Sequence, residues 1–137
     1  MNISRPTGSN KFAHIQRGYY KVGNSFYHFR SKWEANYAIY LEWLRGRGEI
    51  ANWEFEKQTF WFEAIRRGVR SYCPDFRITK NNGAVEFHEV KGYMDSKSNT
   101  KIKRMAKYYP DVKLIVVDQA SYKDIRNKLG KVLKFYL

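Results

Sequence analysis

Residues 73–92 read CPDFRITKNNGAVEFHEVKG, two strand-like runs joined across Asn81-Asn82-Gly83. Asp75 follows Pro74 on the first run, and Glu89, Val90 and Lys91 close the second. Side chains alternate across a strand, so Glu89 and Lys91 share a face. Where Asp75 points depends on the turn. A two-residue turn at Asn82-Gly83 sets Glu89 opposite Phe76 and sends Asp75 to the other face. A three-residue loop with Gly83 left-handed sets Asp75 opposite Glu89 instead. A bulge at Cys73-Pro74-Asp75 would also turn Asp75 inward, since Pro74 has no N–H to give to a ladder. Convergence of the two carboxylates is the expectation, with the device left open.

Upstream, GYYKVGNSFYHFRS (residues 18–31) alternates aromatic and polar residues around Gly23-Asn24, the pattern of a short hairpin. A helix follows. Ser31 and Glu34 fit a capping box at its start, Gly46 or Gly48 closes it, and Trp33, Tyr37, Tyr40, Leu41 and Leu44 repeat as its buried stripe. NWEFEKQTFWF (residues 52–62) reads as strand material bending near Gln58, and the Arg66-Arg67-Gly68 turn feeds a strand running to Thr79. Another strand spans Ala84 to Lys91. A helix over Ser98–Tyr109 carries Ile102, Met105 and Tyr109 inward, with Lys97, Lys101 and Arg104 on another face. VKLIVVD (residues 112–118) is apolar enough for a strand covered on both faces, and a last helix runs from about Ser121 to Leu129. The order is helix, three strands in a meander, helix, strand, helix. A helix between the third and fourth strands permits a parallel crossover, which predicts a mixed central sheet flanked by helices, an α/β sandwich.

A chain of 137 residues suits one domain. Residues 18–137 form it in this reading, and residues 1–17, polar and basic, read either as an arm that orders on a phosphate backbone or as a disordered start. No apolar run approaches a transmembrane helix, and the N-terminus lacks a signal-peptide pattern, so a cytoplasmic location is expected. Cys73, the one cysteine, has no internal disulfide partner and reads as a buried thiol; His14, His28 and His88 form no metal or nuclease pattern. The 26 Lys and Arg against 13 Asp and Glu give a formal net charge of +13, which favours a polyanionic partner, DNA or RNA first. No helix pairs a basic face with a large apolar one, which disfavours a membrane surface.

Carboxylates inside so basic a chain suggest a cation held against a phosphate. Phosphodiester hydrolysis needs a hard cation to neutralise charge on the phosphate oxygens and to lower the pKa of the attacking water. Asp75 and Glu89 offer the oxygens that Mg²⁺ or Mn²⁺ prefer, the carbonyl of Val90 is a further candidate ligand, and Lys91 would orient the water or stabilise the developing charge. Arg30 and Lys32 at the start of the first helix, with Lys97, Lys101, Lys103 and Arg104, suit a phosphate track.

Pro74-Asp75 followed by Glu89-Val90-Lys91, split across a hairpin between an amphipathic helix and a basic one, resembles the PD-(D/E)xK nuclease signature. The surrounding order is similar to the restriction-endonuclease-like αβββαβ core over roughly residues 31–118. Within that superfamily the short chain and spacing look most like archaeal-type Holliday-junction resolvases and their bacteriophage relatives. The resemblance implies a Mg²⁺-dependent homodimer that nicks two opposed strands of a four-way DNA junction, in a host cell's cytoplasm if phage-encoded. It also implies a further acidic ligand on the first helix, Glu34, making the site Glu34, Asp75, Glu89 and Lys91. From the residues alone Glu34 reads equally as a helix cap. The rival functions are a restriction-like, nicking or transposase-partner endonuclease, an exonuclease, and a non-catalytic DNA-binding protein.

Overall fold

The structure, a computed structural model, describes residues 17–136; all but Arg17 of the expected basic arm lies outside them. Gly18–Val22 (β1) and Ser25–Phe29 (β2) form a hairpin in which Val22 stands opposite Ser25. Gly23, at φ 62°, supplies the left-handed residue that so short a turn needs. Tyr20, Val22 and Phe29 point inward onto Lys32–Gly46 (α1). Ser31 caps that helix, its hydroxyl accepting from the Glu34 N–H at 3.2 Å. At the other end Gly48, φ 76°, gives its N–H to Arg45, and Glu49 gives its N–H to Leu44, closing the helix in a Schellman turn. The expected reciprocal capping box does not form. The Glu34 carboxylate reaches past Ser31 and accepts the N–H of Arg30 at 2.8 Å.

Asn52–Phe55 (β3) comes next, then Phe60–Trp61 (β4) and Ser71–Tyr72 (β5), which pair with each other, then Phe76–Thr79 (β6) and Val85–Val90 (β7). Ser96–Tyr108 (α2) crosses to Lys113–Val117 (β8), and Gln119–Leu129 (α3) follows. The main sheet runs β3-β6-β7-β8, antiparallel except for the parallel β7–β8 pair. This is the mixed sheet expected of a helix between the last two strands. The strand expected to run unbroken to Thr79 is split at Cys73-Pro74, because proline gives no N–H and Tyr72 has already paired with Phe60. Beyond the break the ladder resumes, the Glu56 N–H reaching the Asp75 carbonyl at 2.8 Å.

Two cores lie on opposite faces of the sheet. Trp53, Phe76, Ile78, Val90 and Val117 pack against Tyr37, Ala38 and Leu41 of α1, Tyr122 of α3 and the β1–β2 hairpin. Phe87 packs with Phe60, Phe62 and Tyr72 against Met105 of α2. These two faces select the register. Phe76 stands opposite His88 and Thr79 opposite Val85, while Lys80 and Ala84 bracket a three-residue loop whose Gly83 has φ 87°. A one-residue slip would turn β7 over, taking Phe87 out of one core and Val90 out of the other. Each such burial is worth about 1.5–3 kcal/mol, more than the preference between turn types. β8 differs from expectation. As the last strand of the sheet it is only half covered, with Leu114, Ile115 and Val116 all half-buried. Among the described residues no helix is long and apolar enough to cross a membrane.

The C-terminal segment is tied down by one buried amide. Asn36, 1% exposed on α1, donates to the Tyr122 hydroxyl at 2.8 Å and to the Tyr136 carbonyl at 2.9 Å, and accepts the Tyr136 N–H at 2.7 Å. Asn36→Ala strands these groups and should cost about 2–4 kcal/mol in urea unfolding. A loss under about 0.5 kcal/mol, within the scatter of surface substitutions, would mean that the segment does not dock in solution.

Candidate functional site

The three-residue loop puts Asp75 one step beyond the Phe76–His88 pair, directly across from Glu89 and on its face. The Asp75 N–H donates to Glu89 Oε1 at 3.2 Å, and Asp75 Oδ2 accepts the Val90 N–H at 2.8 Å. Tyr72, the last residue before the proline break, gives its hydroxyl to the same Glu89 oxygen at 2.7 Å. The break therefore has a use. It lets the β4–β5 hairpin bring a phenol over the end of β7.

Glu34 arrives from the first turn of α1 and meets the pair through Arg30. The Arg30 Nη2 lies 3.0 Å from Asp75 Oδ1 and 3.3 Å from Glu34 Oε2, while its Nη1 pairs with Glu56. One guanidinium thus faces three carboxylates, with Glu89 behind Asp75. Asp75 is 1% exposed. Burial, then repulsion from Glu89 and Glu34, pushes its carboxyl well above the usual range. Glu34 and Glu89 are also pushed up, chiefly by burial, against the pull of Arg30 on the first and of the Tyr72 hydroxyl on the second. Burial works against the Arg30 charge, but the acids around it prevail and hold its pKa above the ordinary value. The Tyr72 phenol is pushed up by burial and by Glu89, which keeps it a donor.

Lys91 is half-buried and extends the parallel ladder, its N–H reaching the Val117 carbonyl at 3.0 Å. With Lys101 it exerts an attraction on Glu89. Val90 contributes its N–H to the site, donating to Asp75 Oδ2. Glu34, Lys91 and Arg30 also line a cleft of about 440 Å³. Of the expected phosphate track, Lys97 and Lys103 are exposed on α2, and Lys32 is half-buried at the start of α1. Lys101 is half-buried, its Nζ 5.8 Å over the Tyr72 ring. Arg104 does not fit the track: its guanidinium donates to the Val69 carbonyl and ties α2 to the chain leading into β5.

Several participants went unrecognised in the sequence. Arg30 read as a phosphate contact, not as the counter-ion of the acids. Glu56 gave no signal because its place beside Asp75 depends on the β3–β6 register. Tyr72 carried no signal of its own in the sequence. His88 behaves as expected of a group turned away from Glu89: on the other face it joins the Tyr37 hydroxyl at 2.6 Å to Glu86 at 2.7 Å. Cys73 is half-buried, and burial pushes its thiol up.

In donor chemistry the acids suit a divalent cation such as Mg²⁺ or Mn²⁺. They are hard oxygens, and their charge exceeds what one guanidinium cancels. Among the described residues, however, no three side chains form a ready metal cage. Each acid is turned to Arg30 or to a local N–H or O–H donor.

The fold and site define a small α/β protein with a mixed four-stranded sheet and a buried acidic cluster at the Asp75 end of its central hairpin. Residues 17–124 match the family described as "Protein of unknown function (DUF1064)", and the chain belongs to that family. No curated protein and no solved structure matches it.

The raised carboxyls make a signed prediction. A group whose folded pKa exceeds its unfolded value contributes stability at low pH that is lost as pH rises through the folded value. As pH rises and these acids take on charge without metal, the cluster therefore works increasingly against folding. Glu89→Gln keeps an oxygen for the Tyr72 and Asp75 donors while removing one charge. In EDTA it should raise stability at pH 8 by about 1 kcal/mol, about 4 °C in Tm. The gain should shrink toward pH 5 as the wild-type acids take up protons. His88, whose pKa is lowered chiefly by burial, slopes the other way but is common to both proteins. A variant less stable than wild type at pH 8 would contradict this account.

Proposed function

We propose that this protein is a divalent-metal-dependent DNA endonuclease of the PD-(D/E)xK superfamily, on a restriction-endonuclease-like αβββαβ core. In this reading it acts as a homodimer on branched DNA, four-way junctions first. The observation that carries the reading is the Asp75–Glu89 pairing across β6–β7, with Lys91 two residues further on the same face and Glu34 brought in from the first helix. The order α1-β3-β6-β7-α2-β8, with β4–β5 inserted as a side hairpin, supports this reading.

Glu34, Asp75 and Glu89 are the residues that would hold the cation. When bound, Mg²⁺ supplies charge neutralisation at the phosphate and a more acidic water. The chain's own groups do the rest. Tyr72 and the Asp75 N–H orient Glu89, and the Val90 N–H orients Asp75. Lys91 brings a positive charge beside them, suited to stabilising the phosphoryl oxygens as negative charge builds. Arg30 is half-exposed and lines the cleft, so it is placed to exchange its carboxylates for a backbone phosphate. Lys97, Lys101 and Lys103 would position the strand without reading its sequence. The net charge of +13 implies binding that weakens steeply with salt. Two copies give one site for each of two opposed strands, matching the two-fold shape of a four-way junction.

The test is a substrate panel of a four-way junction, a linear duplex and a single strand, each with Mg²⁺ and with EDTA. Cutting should need Mg²⁺ and favour the junction. Asp75→Asn and Lys91→Ala should each slow it by at least about 10²–10³-fold while junction affinity in EDTA stays within about threefold. Preference for linear duplex or for ends would move the assignment to a restriction-like enzyme or an exonuclease. Binding without turnover on any substrate would leave a DNA-binding protein whose acids are structural.

A further inference from the structure

The cleft beside Lys91 is more than an approach to the acids. Trp33 lines it and stacks on Tyr122 with ring centroids 4.3 Å apart and planes 15° apart. Gly92 crosses so close to the indole that a Cβ there would meet the Trp33 ring at 2.6 Å. The indole is therefore held from two directions. On the cleft's rim stands Tyr93, 79% exposed, the most exposed large hydrophobic side chain among the described residues. Around these rings lie Arg17 and Lys91, whose charges suit an anionic chain, with Arg30 and Glu34 paired to each other at 3.3 Å on the same wall. The volume of about 440 Å³ falls within the range of about 300–1,000 Å³ typical of small-ligand clefts.

An exposed phenol beside a fixed indole, with the cations of Arg17 and Lys91 at hand, suits a stacking platform beside a phosphate path. A base inside a duplex cannot use such a platform, because both its faces are already stacked on neighbouring pairs. An unpaired one can. We infer that this cleft binds an unpaired nucleotide of the nucleic-acid strand, seated next to the phosphate that Lys91 faces. The inference rests on the nuclease reading for that last position only. It deepens the substrate class: the preferred DNA exposes an unstacked base at the cutting point, as branch points and flaps do.

The experiment is binding in EDTA, by fluorescence anisotropy, of a labelled oligo-dT strand and of a labelled blunt duplex of equal length. Tyr93→Ala should weaken oligo-dT binding tenfold or more while duplex binding stays within twofold, and Tyr93→Trp should restore the strand affinity. Lys97→Ala, a loss of charge on exposed α2, should weaken both ligands alike. Because Tyr93 is so exposed, an unchanged Tm would verify that Tyr93→Ala still folds. Equal losses on strand and duplex, or no loss on the strand, would overturn the inference. The outcome stands apart from catalysis: strand-selective loss in a protein that never cuts DNA keeps the cleft and removes the nuclease. Mg²⁺-dependent cutting with no Tyr93 effect does the reverse.

Discussion

Three carboxylates share the guanidinium of Arg30, with Glu89 joined to Asp75 behind them, and the candidate site depends on that imbalance. A buried acid without a partner costs several kcal/mol, so each must find a donor. Arg30 serves Glu34, Glu56 and Asp75, the main-chain N–H groups of Arg30, Asp75 and Val90 serve Glu34, Glu89 and Asp75, and Tyr72 serves Glu89. The carboxyls of Glu34, Asp75 and Glu89 are nevertheless held above their ordinary range. The arrangement is satisfied in hydrogen bonds and unsatisfied in charge. That combination is costly for stability and suits a site that meets a further cation in use. In the proposed reading a locally acidic centre is compatible with a chain of net charge +13: the global field would draw a polyanion, and the acids would act only at contact.

What was legible in the sequence followed from local rules. Gly23-Asn24 specified a hairpin, Ser31 a helix start and Gly48 its end, because each supplies a backbone conformation or an acceptor that the position requires. Asp75, Glu89 and Lys91 stood out because Pro74-Asp75 and Glu89-Val90-Lys91, split across a hairpin, resemble a nuclease signature in a strongly basic chain. The ambiguities came from non-local terms. Asn82-Gly83 suits a two-residue turn taken alone, yet the two cores outweigh that preference and yield the three-residue loop. Ile78, which a two-residue turn would have matched to Phe87, stands opposite Glu86 instead. The break at Cys73-Pro74 was visible as a proline, but its effect on Tyr72 depends on a β4–β5 pairing that no local pattern specifies. Arg30 and Glu56 were out of reach for the same reason, lying 26 residues apart in the chain.

The second buried acid of β7 shows why the register holds. Glu86 lies on the α1 face, 6% exposed, opposite Ile78. Burial pushes its carboxyl up, but His88, Lys80 and Lys113 reverse that and hold it below the usual value. His88 is in turn bonded to the Tyr37 hydroxyl of α1. β7 thus carries one acid for each face, and each has partners only on its own side: Tyr72 and the Asp75 N–H for Glu89, His88 and two lysines for Glu86. A slip by one residue would strand both acids together and misplace Phe87 and Val90 in the same move. Turn chemistry alone leaves the hairpin two choices. The polar partners and the apolar faces agree on only one of them, and that one brings Asp75 and Glu89 together. The geometry of the candidate site is therefore a consequence of the pairing on which apolar faces and polar partners agree rather than an adjustment added to it.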